Sequence, residues 1–158
     1  MARNFHIGWY PELFECDIKA REKVLEILSE CNELKVDDYK KYGQDMKVSR
    51  GDRIVGFLEL EVVKGWTTEE YPFRSRHMSI RKDKWVGTNT AWIIFSNDLS
   101  QHVGISLDKC VNYPIIEIHN KLSFGELEKF YDVPKDIFVE NYLEKLKKRE
   151  NHNGKETR

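Results

Sequence analysis

A chain of 158 residues is long enough for one globular domain with a substantial core. Its composition, 40% hydrophobic and 34% charged, excludes an intrinsically disordered protein, and its apolar runs are too short for a membrane-spanning helix. The formal net charge is −1, so no global excess of positive charge points to nucleic acid. The charges are nevertheless segregated: Arg74–Trp85 carries five basic residues against one acidic, and Lys145–Arg158 carries six against two.

The cysteines indicate a reducing compartment. Cys16, Cys31 and Cys110 are odd in number and lack the spacing of metal ligands. The first residues contain no apolar stretch typical of a secretory signal. We therefore expect a cytoplasmic protein without a membrane association.

The first half of the chain predicts a helix followed by a β-hairpin. Asp17 is a candidate N-cap for a helix that ends near Asn32. Its predicted apolar side contains Ile18, Ala20, Val24, Leu25, Ile27, Leu28 and Cys31. Two strands, Gly43–Val48 and Arg53–Lys64, then flank a turn at Gly51.

The second half predicts short strands and then helices. The strands are His77–Arg81, Ala91–Phe95, His102–Leu107 and Ile115–Ile118. Ser123 and Glu126 have the spacing of a capping box for a helix through Phe130, and Asp136–Arg149 is a final amphipathic helix. This order predicts an α+β domain over residues 1–150, with an N-terminal helix, a central mixed or antiparallel sheet of about five strands and C-terminal helices. Residues 151–158 are expected to form a disordered polar tail.

Three acidic residues of the predicted hairpin are the strongest chemical signal. Glu59 and Glu61 lie two apart in an otherwise apolar strand, so they share one face, and Asp45 lies on the preceding strand. A carboxylate within an apolar strand is costly unless it is paired or binds a metal. Three converging carboxylates suit a hard divalent cation. A solvated strand face is the alternative, but Phe57 and Val63 on the same face argue against it.

This arrangement resembles the PD-(D/E)XK nucleases, which have the restriction-endonuclease-like fold. The pattern of that superfamily is a helix, a strand with Asp, and a strand with Glu-x-Lys. Asp45 and Glu59, 14 residues apart, match its two acids. Glu61 stands where the family usually has lysine, in a manner similar to restriction enzymes that carry Glu-x-Glu. A looser likeness to small phage and archaeal members continues through Arg81–Lys82 and Trp92–Leu107.

The resemblance implies a metal-dependent DNA endonuclease. In such an enzyme Asp45 and Glu59 hold Mg²⁺ (or Mn²⁺), which polarises the scissile phosphate and activates a water molecule. Glu61 then acts as a further metal ligand or accepts the proton of that water. Because one chain carries one such site, cutting both strands of a duplex most simply needs a homodimer.

The resemblance also requires a basic group in place of the missing motif lysine. Lys47 is the preferred candidate, because it lies two residues from Asp45 and shares its face. Lys64 points to the opposite face from Glu59 unless a bulge intervenes. The pair Arg81–Lys82, on or just after the next strand, is the other candidate for stabilising charge on the phosphate.

Two basic segments are candidates for nucleic-acid contact. The first mixes cations with aromatic residues, as phosphate contacts require, and consists of Arg74, Arg76, His77, Arg81, Lys82 and Lys84. Its alternative role is to keep an edge strand soluble. The run Lys145–Arg149 is typical of a helix C-terminus, with a DNA-contacting arm as the alternative. The competing function for the whole chain is a non-catalytic nucleic-acid- or protein-binding module on the same fold.

Overall fold

The fold is seen in a computed structural model, which describes residues 11–29, 31, 33–39, 43–120 and 126–156. Its helices are α1 (Pro11–Leu28), α2 (Leu107–Cys110) and α3 (Tyr142–Glu156), with 3-10 helices at Ile80–Trp85 and Lys135–Ile137. Its strands are β1 (Leu34–Asp38), β2 (Met46–Arg50), β3 (Arg53–Val62), β4 (Ser75–Ser79), β5 (Thr90–Phe95), β6 (His102–Ser106), β7 (Ile115–Asn120), β8 (Glu126–Pro134) and β9 (Val139–Glu140). No helix among these described residues is long and apolar enough to span a membrane.

The strands form two sheets. The larger has the order β1-β2-β3-β5-β6-β9, in which β3 and β5 are parallel and every other pair is antiparallel. The smaller, antiparallel sheet has the order β4-β8-β7. The predicted α+β class with an N-terminal helix and a mixed central sheet is therefore confirmed. The strands number nine within the described residues, whereas the sequence predicted about five.

The alternation along β3 divides the protein into two cores. Leu58 faces α1 and α3 and packs in a core with Val24, Ile93 and Leu143. The opposite face of the central sheet packs against the smaller sheet, in a core that contains Trp92 and residues of β4 and β8. Glu59 and Glu61 lie on this second face, because they alternate with Leu58. The predicted shared face of the two carboxylates is thus confirmed.

A crossover connection carries a basic segment over these carboxylates. Parallel neighbours cannot be joined by a tight turn, so the chain leaves β3, forms β4 in the other sheet, and only then returns as β5. The 3-10 helix Ile80–Trp85 lies on this crossover. Ser79 caps it by accepting a hydrogen bond from the Arg81 N–H, and the Tyr131 hydroxyl donates to Asp83 at 2.7 Å. The helix is therefore attached to the smaller sheet.

The prediction of a helix over Glu126–Phe130 is wrong. These residues belong to β8, which pairs with β4 on one side and with β7 on the other. Pairing on both sides satisfies the backbone of this segment more completely than a single helical turn could. The expected cap Ser123 lies outside the described residues.

The bounds of the two long helices also differ from the prediction. Helix α1 begins at Pro11, six residues before the expected cap Asp17, because proline is well tolerated in the first turn. Its buried stripe is narrower than predicted, since Ile18 and Leu25 are exposed. Helix α3 begins at Tyr142, since the chain first pairs as β9 with β6. It continues through Glu156, into the expected tail, and the domain boundary at residue 150 stays a prediction.

Candidate active site

The site is organised around a buried carboxylate, Glu59, in the middle of β3. Its side chain is only 7% exposed. One oxygen, Oε2, accepts a hydrogen bond from the Asp45 backbone N–H at 2.9 Å. The other, Oε1, accepts from Lys82 Nζ at 2.6 Å. The negative charge is therefore compensated by a cation that lies on the crossover rather than on the hairpin.

Asp45 lies directly before β2, beside Glu59. Its Oδ2 accepts a hydrogen bond from the Leu60 N–H at 2.8 Å, and its Oδ1 is 3.3 Å from Arg21 Nη2. Burial and, next, the negative charge of Glu59 raise the pKa of Asp45 to about 6. The neighbouring negative charge thus makes Asp45 harder to ionise, a condition that a divalent cation would relieve.

Arg21, on helix α1, holds Asp45 in position. Its Nη1 donates to the Asp45 main-chain oxygen at 2.6 Å, in addition to the ion pair with the side chain. The same guanidinium contacts Asp17 at 3.1 Å and Asp38 at 2.8 Å. One planar, multidentate group therefore links α1 and β1 to the residue before β2.

Glu61 lies on the same face as Glu59 but has separate partners. It forms an ion pair with Arg76 of β4, and its Oε2 accepts a hydrogen bond from Trp92 Nε1 at 3.1 Å. Its side chain is about one-third exposed, at 32%. Glu61 is therefore held between the two sheets.

The basic groups near the carboxylates differ from the preferred candidate. Lys47 is opposite Phe57 in the β2–β3 register and so lies on the expected face. None of the contacts described for this part of the chain joins Lys47 to Asp45, Glu59 or Glu61. Lys82 makes that contact with Glu59 instead. The sequence pattern favoured Lys47 over Lys82, because the distance of Lys82 from Glu59 depends on the crossover connection between β3 and β5. No local sequence pattern specifies the path of that connection.

The structure pairs most of the predicted nucleic-acid contacts with acids. The ion pairs are Lys82 with Glu59, Arg76 with Glu61 and, at 2.8 Å, Arg81 with Glu128. His77 Nε2 also lies 3.3 Å from an oxygen of Asp132. Lys84 lies over the Trp85 ring, 4.7 Å from its centroid, and Arg74 is exposed. Arg81 also remains 72% exposed, so Arg74, His77, Arg81 and Lys84 are the members of this segment that are exposed to solvent. Contact of this segment with nucleic acid stays a prediction.

The donor set for a metal consists of two adjacent carboxylates. The described residues contain no group of three or more His, Cys, Asp or Glu side chains arranged to hold a metal ion. The predicted set of Asp45, Glu59 and Glu61 therefore remains a prediction. Asp45 and Glu59 fit a divalent cation by their oxygen chemistry and by the mutual repulsion that raises the pKa of Asp45.

No family model matches the sequence, and no curated protein is similar to it in sequence. The structure of D212, a nuclease from a fusselovirus, aligns with 94% of this chain and 92% of its own, at a TM-score of 0.42 and 14% sequence identity. A similarity this distant establishes neither a family nor an activity for the present chain.

Proposed function

We propose that the protein is a metal-dependent nuclease that hydrolyses phosphodiester bonds in DNA. Asp45 and Glu59 serve as the metal ligands, and Lys82 serves as the basic catalytic residue. The observation that carries the proposal is the buried Glu59 carboxylate, which lies within hydrogen-bonding distance of both Asp45 and Lys82. This Asp, Glu and Lys combination is the one that the PD-(D/E)XK resemblance predicts, with the lysine supplied by the crossover instead of by β3.

Each side chain has a role that follows from its surroundings. A bound Mg²⁺ or Mn²⁺ would supply Lewis acidity and lower the pKa of a water molecule. Lys82 places a positive charge beside the carboxylates, where the phosphate gains negative charge during attack. Arg21 keeps Asp45 in position through two contacts. Glu61 becomes available as a proton acceptor only when its ion pair with Arg76 opens.

The experiment compares cleavage of supercoiled plasmid in Mg²⁺ and in EDTA. We expect nicking that requires the metal, and a loss of about 100-fold or more in Glu59→Gln, which keeps the shape of the side chain and removes its charge. Glu117→Gln is the matched control, because Glu117 is exposed on β7 and lies outside the site. Circular dichroism of both variants monitors the fold. Full cleavage by Glu59→Gln, or cleavage that persists in EDTA, would contradict the proposed site.

Cutting of both strands by one site per chain most simply requires two copies, so we propose a homodimer as the active form. The oligomeric state is measured by analytical ultracentrifugation with and without DNA.

A non-catalytic binding module is the second candidate, favoured by a specific observation. Each of the three carboxylates already has a cationic partner, namely Arg21, Lys82 or Arg76. The buried charges are thus neutralised without a metal. A nucleic-acid-binding module retards the plasmid and leaves it intact, whereas a protein-binding module gives neither nicking nor retardation.

A further inference from the structure

A basic groove lies beside α3, away from the candidate active site. It has a cavity of about 430 Å³ and is lined by, among others, Asn89, Ser106, Lys109, Tyr142, Lys145 and Arg149. A smaller cavity of about 110 Å³ shares Asn89, Tyr142 and Arg149 with it and has an apolar lining that includes Val48, Val55 and Leu58. Helix α3 packs on the face of the central sheet that carries Leu58. Because Glu59 alternates with Leu58, the carboxylates lie on the opposite face of that sheet.

The charges of the groove are of one sign. Lys145 and Arg149 are one helical turn apart on α3, and Lys109 of α2 faces the same cavity. None of the lining side chains is acidic. Elsewhere in the described chain the cations of Arg21, Arg76, Arg81 and Lys82 are matched by carboxylates. Three converging cations without a carboxylate raise the potential of a concave surface and favour an anionic ligand.

The groove also presents aromatic surface next to its cations. Tyr142 lines both cavities. Burial raises the pKa of Tyr142, and the nearby positive charge of Arg149 acts against that rise, so the cation lies close to the ring. A ligand that matches both the cations and the aromatic surface has a phosphate and a planar apolar group.

We infer that the basic groove binds a nucleotide unit, with its phosphate against Lys109, Lys145 and Arg149 and its base in the apolar part beside Tyr142. Lysine and arginine form short, charge-assisted hydrogen bonds with phosphate, and aromatic side chains stack on bases. The nucleotide is either free or part of a nucleic-acid strand. The inference does not depend on catalysis, because no residue of the groove belongs to the Asp45, Glu59 and Lys82 set.

The test is a calorimetric titration of the full chain without divalent metal. The probes are AMP, adenosine, inorganic phosphate and a short single-stranded oligodeoxynucleotide. We expect AMP to bind more tightly than either adenosine or phosphate, and Lys145→Gln and Arg149→Gln to weaken that binding about tenfold each. Lys148→Gln is the matched control: it removes the same charge from an exposed position of the same helix that does not line the groove.

The outcomes separate the two sources of the nucleotide and the two sites. An oligonucleotide that binds far more tightly than AMP assigns the groove to a nucleic-acid strand, and equal affinities assign it to a free nucleotide. The inference is overturned if neither AMP nor the oligonucleotide binds, if phosphate alone binds as tightly as AMP, or if Lys148→Gln weakens binding as much as Arg149→Gln. Glu59→Gln should bind AMP like the wild type, so a failed cleavage assay leaves this result unaffected.

Discussion

Glu59 is stable in its buried position because its two oxygens have different kinds of partner. The Asp45 backbone N–H fixes one oxygen, and the Lys82 ammonium neutralises the charge at the other. A buried ion pair contributes little net stability compared with a well-packed apolar pair, but removal of one member leaves an uncompensated charge. The structural role of Lys82 and its proposed catalytic role can therefore be separated by pairwise substitution.

Lys82→Met should lower the free energy of unfolding by about 3 kcal/mol, because Glu59 is left buried without its cation. Adding Glu59→Gln should recover most of that loss, since the remaining groups are neutral, while cleavage stays absent in both variants. Urea unfolding and the plasmid assay measure the two effects. Lys47→Met is the control with an unchanged carboxylate environment. A double variant no more stable than Lys82→Met would show that the pair is not the source of the loss.

The residues of the site differ in how far the sequence could predict them. Asp45, Glu59 and Glu61 were identified because carboxylates interrupt an apolar pattern within a single hairpin, and strand alternation fixes their face. Lys82 could not be chosen over Lys47 by the same reasoning. Its position follows from the crossover and from the attachment of Asp83 to Tyr131, and both are contacts between segments distant in the chain.

At the level of elements, local pattern predicted β2, β3, β5 and β6 of the central sheet but missed β1 and β9. It also failed where pairing between distant segments overrode it. Strand β5 is buried at every position, as its unbroken apolar run indicated. In Glu126–Phe130 the spacing of a capping box favoured a helix, but β4 and β7 provide partners on both sides. Pairing between segments that are distant in the chain cannot be predicted from a local sequence pattern.

The first turn of helix α3 is capped by His102, a residue of strand β6. His102 Nε2 accepts a hydrogen bond from the Leu143 N–H at 3.0 Å, and its main-chain oxygen accepts from the Asn141 N–H at 3.0 Å. Burial lowers the pKa of His102 to about 4, although the charge of nearby Glu144 acts in the opposite direction. The neutral imidazole is therefore the form that caps the helix.

This cap predicts a loss of stability in mild acid. Between the unfolded pKa of about 6.5 and the folded value of about 4, the unfolded chain binds the extra proton, so the free energy of unfolding falls as the pH falls, by up to about 3 kcal/mol. His102→Gln should be less stable at neutral pH and should lack this contribution. Urea unfolding of both proteins across the interval measures the difference.

The quantity to compare is the difference in unfolding free energy between the wild type and His102→Gln, because Asp45 titrates in both proteins and has the opposite effect on stability. Its pKa is raised from 3.8 to about 6, so the folded chain binds the extra proton between these values and gains stability as the pH falls. His119→Gln, at an exposed position of β7, is the control for the substitution itself. A stability difference between wild type and His102→Gln that does not vary with pH would contradict the role of the cap.

At the scale of the whole molecule, the two cores depend on the same strands. Trp92 contributes to the core between the sheets, and its neighbour Ile93 contributes to the core under α1 and α3. Because both cores pack against the central sheet, loss of that sheet would expose the apolar residues of both. We therefore expect the described part of the chain to unfold as a single cooperative unit despite its two sheets.

Unfolding should follow one transition by independent probes. Tryptophan fluorescence reports on the core that contains Trp66 and Trp92, while far-ultraviolet circular dichroism reports strongly on α1 and α3. We expect the two urea curves to coincide in midpoint and slope. An earlier loss of the helical signal would show that the helices detach while the two-sheet core remains folded.

Because Lys82 lies on the crossover, its spacing from Glu59 in the sequence could differ among distant relatives. In a Glu-x-Lys strand, the pleat fixes the separation of acid and base, whereas here Lys82 follows Glu59 by 23 positions. Part of this interval, residues 67–70, is exposed. Insertions or deletions there would leave Lys82 in place, because Asp83 anchors its helix to Tyr131. A protein with the proposed site could therefore keep the interval from Asp45 to Glu59 constant and have an interval of different length before the lysine.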